Sequence, residues 1–145
     1  MCIRDRRYAV AEKAAVRAME LAESADLNSV IAARAAHELR EFDRRDAYLA
    51  TAENKSAGGP TMRLMAQAKF NLDQHQPQAA LQALKKLRES GVKGHVGALH
   101  LELRAQQQAR NWDAVLDLVD QLKKRGAMDD ATAAQIRQQL SLIHI

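Results

Sequence analysis

Apolar residues recur at every third or fourth position along most of the chain, as at Ala80, Leu81, Leu84 and Leu87. This spacing places them on one face of an amphipathic helix. Val and Ile are scattered and never alternate with polar residues over five or more positions, so no strand is expected. The pattern predicts an all-α protein.

Turn-forming and capping residues divide this pattern into eight segments. The predicted helices span residues 8–24, 27–39, 42–54, 61–74, 77–90, 95–109, 112–125 and 129–139. Asp26 and Asp129 are expected to cap helices, and Pro60 to stand at a first helical position. Gly91 and Gly126 are expected at helix C-termini. Four serines near helix ends are expected in caps or loops: Ser24, Ser29, Ser56 and Ser90.

The helices repeat along the chain. Tyr8, Phe42, Pro77 and Trp112 are spaced by 34, 35 and 35 residues. Three more sets keep this register: Ala11, Arg45, Ala80 and Val115; Ala15, Leu49, Leu84 and Val119; and Ala18, Ala52, Leu87 and Leu122. A period near 34 residues, shared by two helices, is the signature of tetratricopeptide repeats. We therefore expect a tetratricopeptide-like, right-handed solenoid of stacked antiparallel helix pairs, since one pair cannot bury its apolar stripe alone.

The repeat departs from the usual pattern at two places. Arg40, His75 and Arg110 replace the glycine that usually stands two residues before the aromatic position, and Arg45 occupies a slot that usually holds alanine. Trp112, at the start of a second helix, is expected to pack between helices.

Both ends of the chain have an unusual origin at the level of codons. Met1–Arg6 and Leu140–Ile145 can be encoded by strings that are reverse complements, and these resemble the inverted end sequence of a transposase-based sequencing adapter. We therefore expect residues 1–6 and 140–145 to be adapter-derived scars. Residues 7–139 would then be a helical repeat domain cut at both ends.

Charge and composition narrow the function classes. The chain carries a net charge of +4, of which the two hexamers contribute +1, and both signs are mixed along it. Aromatic residues make up only 3%, and no basic run is clustered, so a nucleic-acid partner is not expected. The one cysteine, Cys2, lies in the first hexamer. Residues 7–139 hold no apolar stretch of about 18 residues, so none of them is expected to cross a membrane.

The repeat region resembles a particular bacterial family. The segments "AARAAHEL" and "RRDAYLA", with "MRLMAQAKFNLDQHQPQAALQALKKL" and "RNWDAVLDLVDQLKKRGAMDD", are similar to the N-terminal repeat region of HemY proteins. The resemblance covers nearly all of residues 7–139. It implies two transmembrane helices upstream, repeats on the cytoplasmic face of the inner membrane, and a link to haem biosynthesis. Tetrapyrrole-biosynthesis enzymes are the partners that it implies.

Catalytic and metal-binding patterns are absent from the sequence. The histidines His37, His75, His95 and His100 form no H-x-x-x-H pair, and residues 7–139 contain no cysteine to complete a zinc site. Gly91, Gly94 and Gly97 are not spaced as a dinucleotide fingerprint. We therefore expect a protein without enzymatic activity, cofactor or metal.

One periodic pattern points to a binding surface. Arg34, Lys69 and Arg104, here called the basic ladder, are spaced by 35 and 35 residues, each in a first helix. One turn earlier in each helix stand Val30, Met65 and His100. Because first helices line the concave face of stacked tetratricopeptide units, these six residues are predicted to form a partner-binding groove. Its cations suit carboxylates of a partner peptide.

Three functions follow as hypotheses. The first is a protein-binding scaffold of a membrane-anchored haem-biosynthesis factor. The second is a carrier or sensor of haem or a porphyrin, contacted by His100 or His37. The third is a generic helical repeat from another kind of protein.

Overall fold

The computed structural model describes residues 2–21, 25–51, 59–92 and 95–143, and every regular element within these ranges is an α-helix. The helices are α1 (Ile3–Leu21), α2 (Ala25–Glu38), α3 (Phe42–Thr51), α4 (Gly59–Asp73), α5 (Pro77–Glu89), α6 (Val96–Ala109), α7 (Trp112–Lys124) and α8 (Asp130–Ile143). The predicted all-α class is confirmed. All eight predicted helices are present among the described residues.

The chain divides into two compact units, Met1–Phe70 and Asn71–Ile145. In unit 1, α2 packs against both α1 and α3. In unit 2, α5 packs against α6, α6 against α7, and α7 against α8. Packing of sequence neighbours through short turns is the arrangement of α-hairpins, in which each helix buries its apolar stripe on the helices beside it in sequence.

The 35-residue register is visible in where the second helices begin. Helices α3, α5 and α7 start at Phe42, Pro77 and Trp112. The same register is visible in burial, because one position of the repeat is buried each time it occurs: Ala15, Leu49, Leu84 and Val119. The period read from the sequence is therefore a period of the structure.

Each first helix ends in the same backbone motif. Arg40, His75 and Arg110 have φ of 61°, 57° and 60°, in the left-handed region. At Arg40 the backbone N–H donates to the carbonyl of His37, and the next N–H, of Glu41, donates to Ala36. The same two bonds recur at the other two turns and define a Schellman motif. The three residues that replace glycine in the sequence thus adopt the conformation that glycine adopts most easily.

Several of the residues predicted to mark helix ends do so in the structure. Gly91 and Gly126 have positive φ at helix ends, and Asp129 accepts a hydrogen bond from the Thr132 backbone N–H over 2.7 Å. Helix α2 is described from Ala25, one residue before Asp26. The side chain of Asp26 lies outside the described residues, so its capping role stays a prediction.

The serines expected in caps or loops do not all occupy such positions. The Ser90 hydroxyl donates to the Leu87 carbonyl at the end of α5, as expected of a cap. Ser29 was wrongly expected at a cap or loop: it is buried within α2 and its hydroxyl lies 2.8 Å from that of Thr51 in α3. A buried hydroxyl needs a partner, and a neighbouring helix supplies it. Ser24 and Ser56 lie outside the described residues.

The terminal helices run into the two hexamers. Helix α1 begins at Ile3 and α8 continues to Ile143, because extending an existing helix adds one hydrogen bond per residue without a new nucleation cost. Leu140 is buried in the core of unit 2.

The cores of the two units differ in side-chain size. Helix α2 buries four alanines completely, Ala32, Ala33, Ala35 and Ala36, which permits close approach of its neighbours. Unit 2 is filled by larger side chains, including Leu103, Val115, Val119 and Leu122. Among the described residues no helix is long and apolar enough to cross a membrane.

Candidate functional site

Helix α2 presents an exposed stripe that its packing does not use. Leu27, Ile31 and Arg34 occupy positions i, i+4 and i+7, which lie along one face of a helix. All three side chains are exposed, and Leu27 keeps 49% of its surface in contact with solvent. Val30, beside them, is half-buried. The α2 stripe therefore combines apolar contact area with a cation.

Helix α6 of unit 2 presents a similar stripe. Val96, His100 and Arg104 follow at four-residue intervals and are all exposed. Arg104 is not a lone charge, because its Nη2 lies 3.9 Å from Oδ1 of Asp73 at the end of α4. An exposed ion pair of this length contributes little and exchanges readily for a partner's carboxylate.

The third predicted pair of groove residues lies on α4. Met65 and Lys69 are both half-buried, so their side chains offer less surface than those on α2 and α6. Arg34 and Lys69 belong to unit 1 and Arg104 to unit 2. Two of the three cations of the basic ladder are thus exposed, each on the first helix of a repeat. A single groove formed by all six predicted residues stays a prediction.

Unit 1 also contains a cluster of rings around a cation. His37 is 8% exposed, and its ring stacks on Phe70 with 4.4 Å between centroids. The Arg45 guanidinium lies 4.7 Å from the Phe42 centroid and 5.6 Å from that of Phe70. Because a guanidinium only donates, Arg45 Nη1 donates to His37 Nδ1 across 3.0 Å, and the ring proton of neutral His37 is on Nε2.

This cluster explains the unusual arginine in the repeat. Arg45 occupies the slot in which Ala80 and Val115 are buried, and its own side chain is 12% exposed. Its Nε also lies 3.0 Å from Asp46 Oδ1. The ring nitrogen that faces Arg45 is already used, so the geometry gives His37 an internal packing role. His37 is therefore a poor candidate for contacting a tetrapyrrole.

A second polar cluster lies between α1 and α3. Arg44 Nη2 is 3.2 Å from Oε1 of buried Glu12. Burial, reinforced by the nearby Glu12 carboxylate, raises the pKa of Tyr48 above its usual value. The pairing compensates the charge of a buried carboxylate through Oε1, which is a structural task, whereas Oε2 is buried without a hydrogen-bond partner among the described residues.

The turn between α6 and α7 borders an open depression of about 460 Å³. It is lined by Gln106, Arg110, Asn111, Trp112, Asp113 and Ala114. Trp112 is half-buried and packs against the apolar core of unit 2, which confirms its predicted packing role. The Asn111 amide donates to the Gln106 side chain over 2.7 Å.

The other histidines have ordinary surroundings. His95 caps α6, its Nδ1 accepting from the Ala98 backbone N–H, and His75 forms the left-handed turn before α5. His100 lies on the exposed α6 stripe. In the part of the chain that the structure describes, no three His, Cys, Asp or Glu side chains come together as a metal site.

The sequence pattern missed the apolar half of these stripes. Leu27, Ile31 and Val96 were not singled out, although each is exposed on a first helix. Nothing in the spacing could have distinguished them from buried residues: Val96, for example, lies three and seven residues before the buried Leu99 and Leu103. No family model, no curated protein and no solved structure matches this chain.

Proposed function

We propose that this chain is a non-enzymatic protein-binding scaffold that holds partner segments against its first helices. The observation that carries the proposal is the exposed stripe on α2, where Leu27 and Ile31 stand beside Arg34. Exposed apolar side chains next to a cation favour a partner segment that carries an apolar residue and a carboxylate.

The α6 stripe supports the same proposal in the other unit. There Val96 supplies the apolar surface and Arg104 the cation, and the rise of 1.5 Å per residue sets these two positions about 12 Å apart. Leu27 and Arg34 are about 10 Å apart by the same measure. An extended peptide advances about 3.3 Å per residue, so an apolar residue and a carboxylate three or four positions apart match both stripes.

The resemblance to HemY proteins gives the proposal a biological setting. In that setting the scaffold belongs to a membrane-anchored factor at the cytoplasmic face of the bacterial inner membrane. Its partners are tetrapyrrole-biosynthesis enzymes. The similarity of "AARAAHEL" and "RRDAYLA" to that family supports this part of the proposal.

A crosslinking pull-down tests the proposal. The bait is compared with a variant carrying Arg34→Glu, Lys69→Glu and Arg104→Glu. A matched control carries Lys85→Glu, Lys86→Glu and Lys124→Glu, which makes the same charge change at exposed positions of second helices. Tetrapyrrole enzymes should be enriched by the bait and the control and lost with the ladder variant. Equal recovery by all three would contradict the proposal.

A haemin titration separates the carrier hypothesis from the scaffold. A stoichiometric shift of the Soret band that His100→Ala abolishes would favour a haem carrier. The scaffold predicts no such stoichiometric shift.

A further inference from the structure

Helix α1 carries a basic stripe on its solvent face. Arg7, Val10, Lys13 and Arg17 are all exposed, and Val10 keeps 63% of its surface in solvent. The acidic Glu12 of the same helix points the other way, where it is buried and paired with Arg44. Among the described side chains, the four members of the basic stripe therefore carry three positive charges and no negative one.

Helix α7 carries the opposite charge on its solvent face. Asp113, Leu116, Asp117 and Asp120 are exposed and form an acidic stripe, with 37% of the Leu116 surface in solvent. The other side of α7 is buried in the core of unit 2. Asp120 also pairs with Arg137 of α8, which leaves Asp113 and Asp117 as the carboxylates farthest from that pair.

The remaining second helices lack such stripes. The exposed face of α3 mixes Asp43, Arg44 and Asp46, and that of α5 combines glutamines with lysines. By the register of Tyr8, α1 is also the second helix of a repeat. Among the described residues of the second helices, a stripe of one charge sign is therefore found on α1 and on α7. Each of the two stripes also includes one exposed aliphatic residue, Val10 on α1 and Leu116 on α7.

We propose that the basic stripe of α1 in one copy of this chain binds the acidic stripe of α7 in a second copy. The two stripes can overlap over the length of the shorter one, because the ten helical steps from Arg7 to Arg17 cover about 15 Å and the seven from Asp113 to Asp120 about 10 Å. In this contact Val10 meets Leu116, and the aspartates face the arginines and the lysine. We assign the partner of each stripe to a second copy because this one chain carries both the basic stripe and the acidic stripe that complements it.

The contact is heterologous, since two different patches meet. Exposed ion pairs are individually weak and are screened within a Debye length of about 8–10 Å, so the association depends on both concentration and salt. It does not involve the basic ladder. Its success or failure is therefore independent of the partner binding proposed above.

Sedimentation velocity on the full chain tests this assignment, at protein concentrations up to about 1 mM and in about 50 and 300 mM NaCl. Variant A carries Lys13→Glu and Arg17→Glu. Variant B carries Asp113→Lys and Asp117→Lys, so that each variant changes two exposed charges. Far-UV circular dichroism and thermal melts verify that each variant is folded.

The native chain should associate at low salt, and its dissociation constant should rise at least about fivefold at the higher salt. Variants A and B should each be monomeric. In variant A two acidic stripes would have to meet, and in variant B two basic ones. An equimolar mixture of A and B should associate again, because opposite charges then face each other across copies. A monomeric native chain at about 1 mM in low salt, or a mixture of A and B that stays monomeric, overturns the proposal.

Discussion

The guanidinium of Arg45 in α3 donates to Nδ1 of His37 in α2 over 3.0 Å, and this bond joins the two helices of one repeat. The stacked rings of His37 and Phe70, with Phe42 beside the guanidinium, enclose it in unit 1. Alanine is usual at the Arg45 register position, so here a cation and rings do the packing that small residues do elsewhere.

Replacing this arginine should weaken unit 1. Arg45→Ala removes a largely buried cation–ring contact and a charged hydrogen bond, so we expect a loss of about 2–3 kcal/mol in the free energy of unfolding. Urea melts followed by circular dichroism measure it. Asp46→Ala serves as the control, since it removes only the exposed partner of Arg45 and should cost less than about 0.5 kcal/mol. A gain in stability from Arg45→Ala would contradict the packing role.

Glycine at the left-handed turns should stabilise the fold. His75→Gly and Arg110→Gly should each raise the free energy of unfolding by about 0.5–1 kcal/mol, because a side chain is strained at φ near 60°. His75→Ala and Arg110→Ala are the matched controls, since they remove the same side chains and keep the strain. If the alanine variants stabilise as much as the glycine variants, the backbone explanation is wrong.

Trp112 should contribute to the core of unit 2. Its ring packs beside the buried cluster of α6, α7 and α8, so Trp112→Ala should cost about 3 kcal/mol. Urea melts give the value, and Asp113→Ala at the exposed neighbouring position should change it by less than about 0.5 kcal/mol. A loss below about 1 kcal/mol for Trp112→Ala would show that the ring is not part of the core.

The cap of α8 should depend on pH. Hydrogen bonds from the Thr132 hydroxyl and backbone N–H lower the pKa of the Asp129 carboxyl. A carboxyl whose folded pKa is lowered stabilises the fold above its unfolded pKa, and this contribution is lost as the pH falls through the folded pKa. The Tm advantage of the native chain over Asp129→Ala should therefore shrink between about pH 6 and pH 2. An advantage that is constant over this range would rule out the charged cap.

The helical architecture could be predicted because its signals are local. The three-and-four spacing and the turn residues predicted every helix that the structure describes, and the 35-residue register correctly placed the starts of α3, α5 and α7. The sequence also marked Arg40, His75 and Arg110 as departures from glycine. It could not show that these residues take a left-handed conformation, because that depends on the hydrogen bonds of a formed helix end.

The candidate site was less accessible to sequence reasoning. Periodicity identified Arg34 and Arg104 as repeated cations on first helices, and both are exposed. It did not reveal the exposed Leu27 and Ile31, because an apolar residue in a helical pattern is ordinarily assigned to the core. Which apolar residues stay exposed is decided by the packing partners of each helix, and these are set by tertiary structure.

The most direct test of the scaffold is the affinity of a partner recovered by the native bait, titrated by isothermal calorimetry against three forms of the chain. These are the native chain, the ladder variant with Arg34, Lys69 and Arg104 reversed to Glu, and the control with Lys85, Lys86 and Lys124 reversed to Glu. We expect the ladder variant to bind at least about tenfold more weakly, a loss of about 1.4 kcal/mol, and the control to bind within about twofold of the native chain. Equal weakening by the two variants would show that only net charge matters, and unchanged binding by the ladder variant would contradict a role for the first helices.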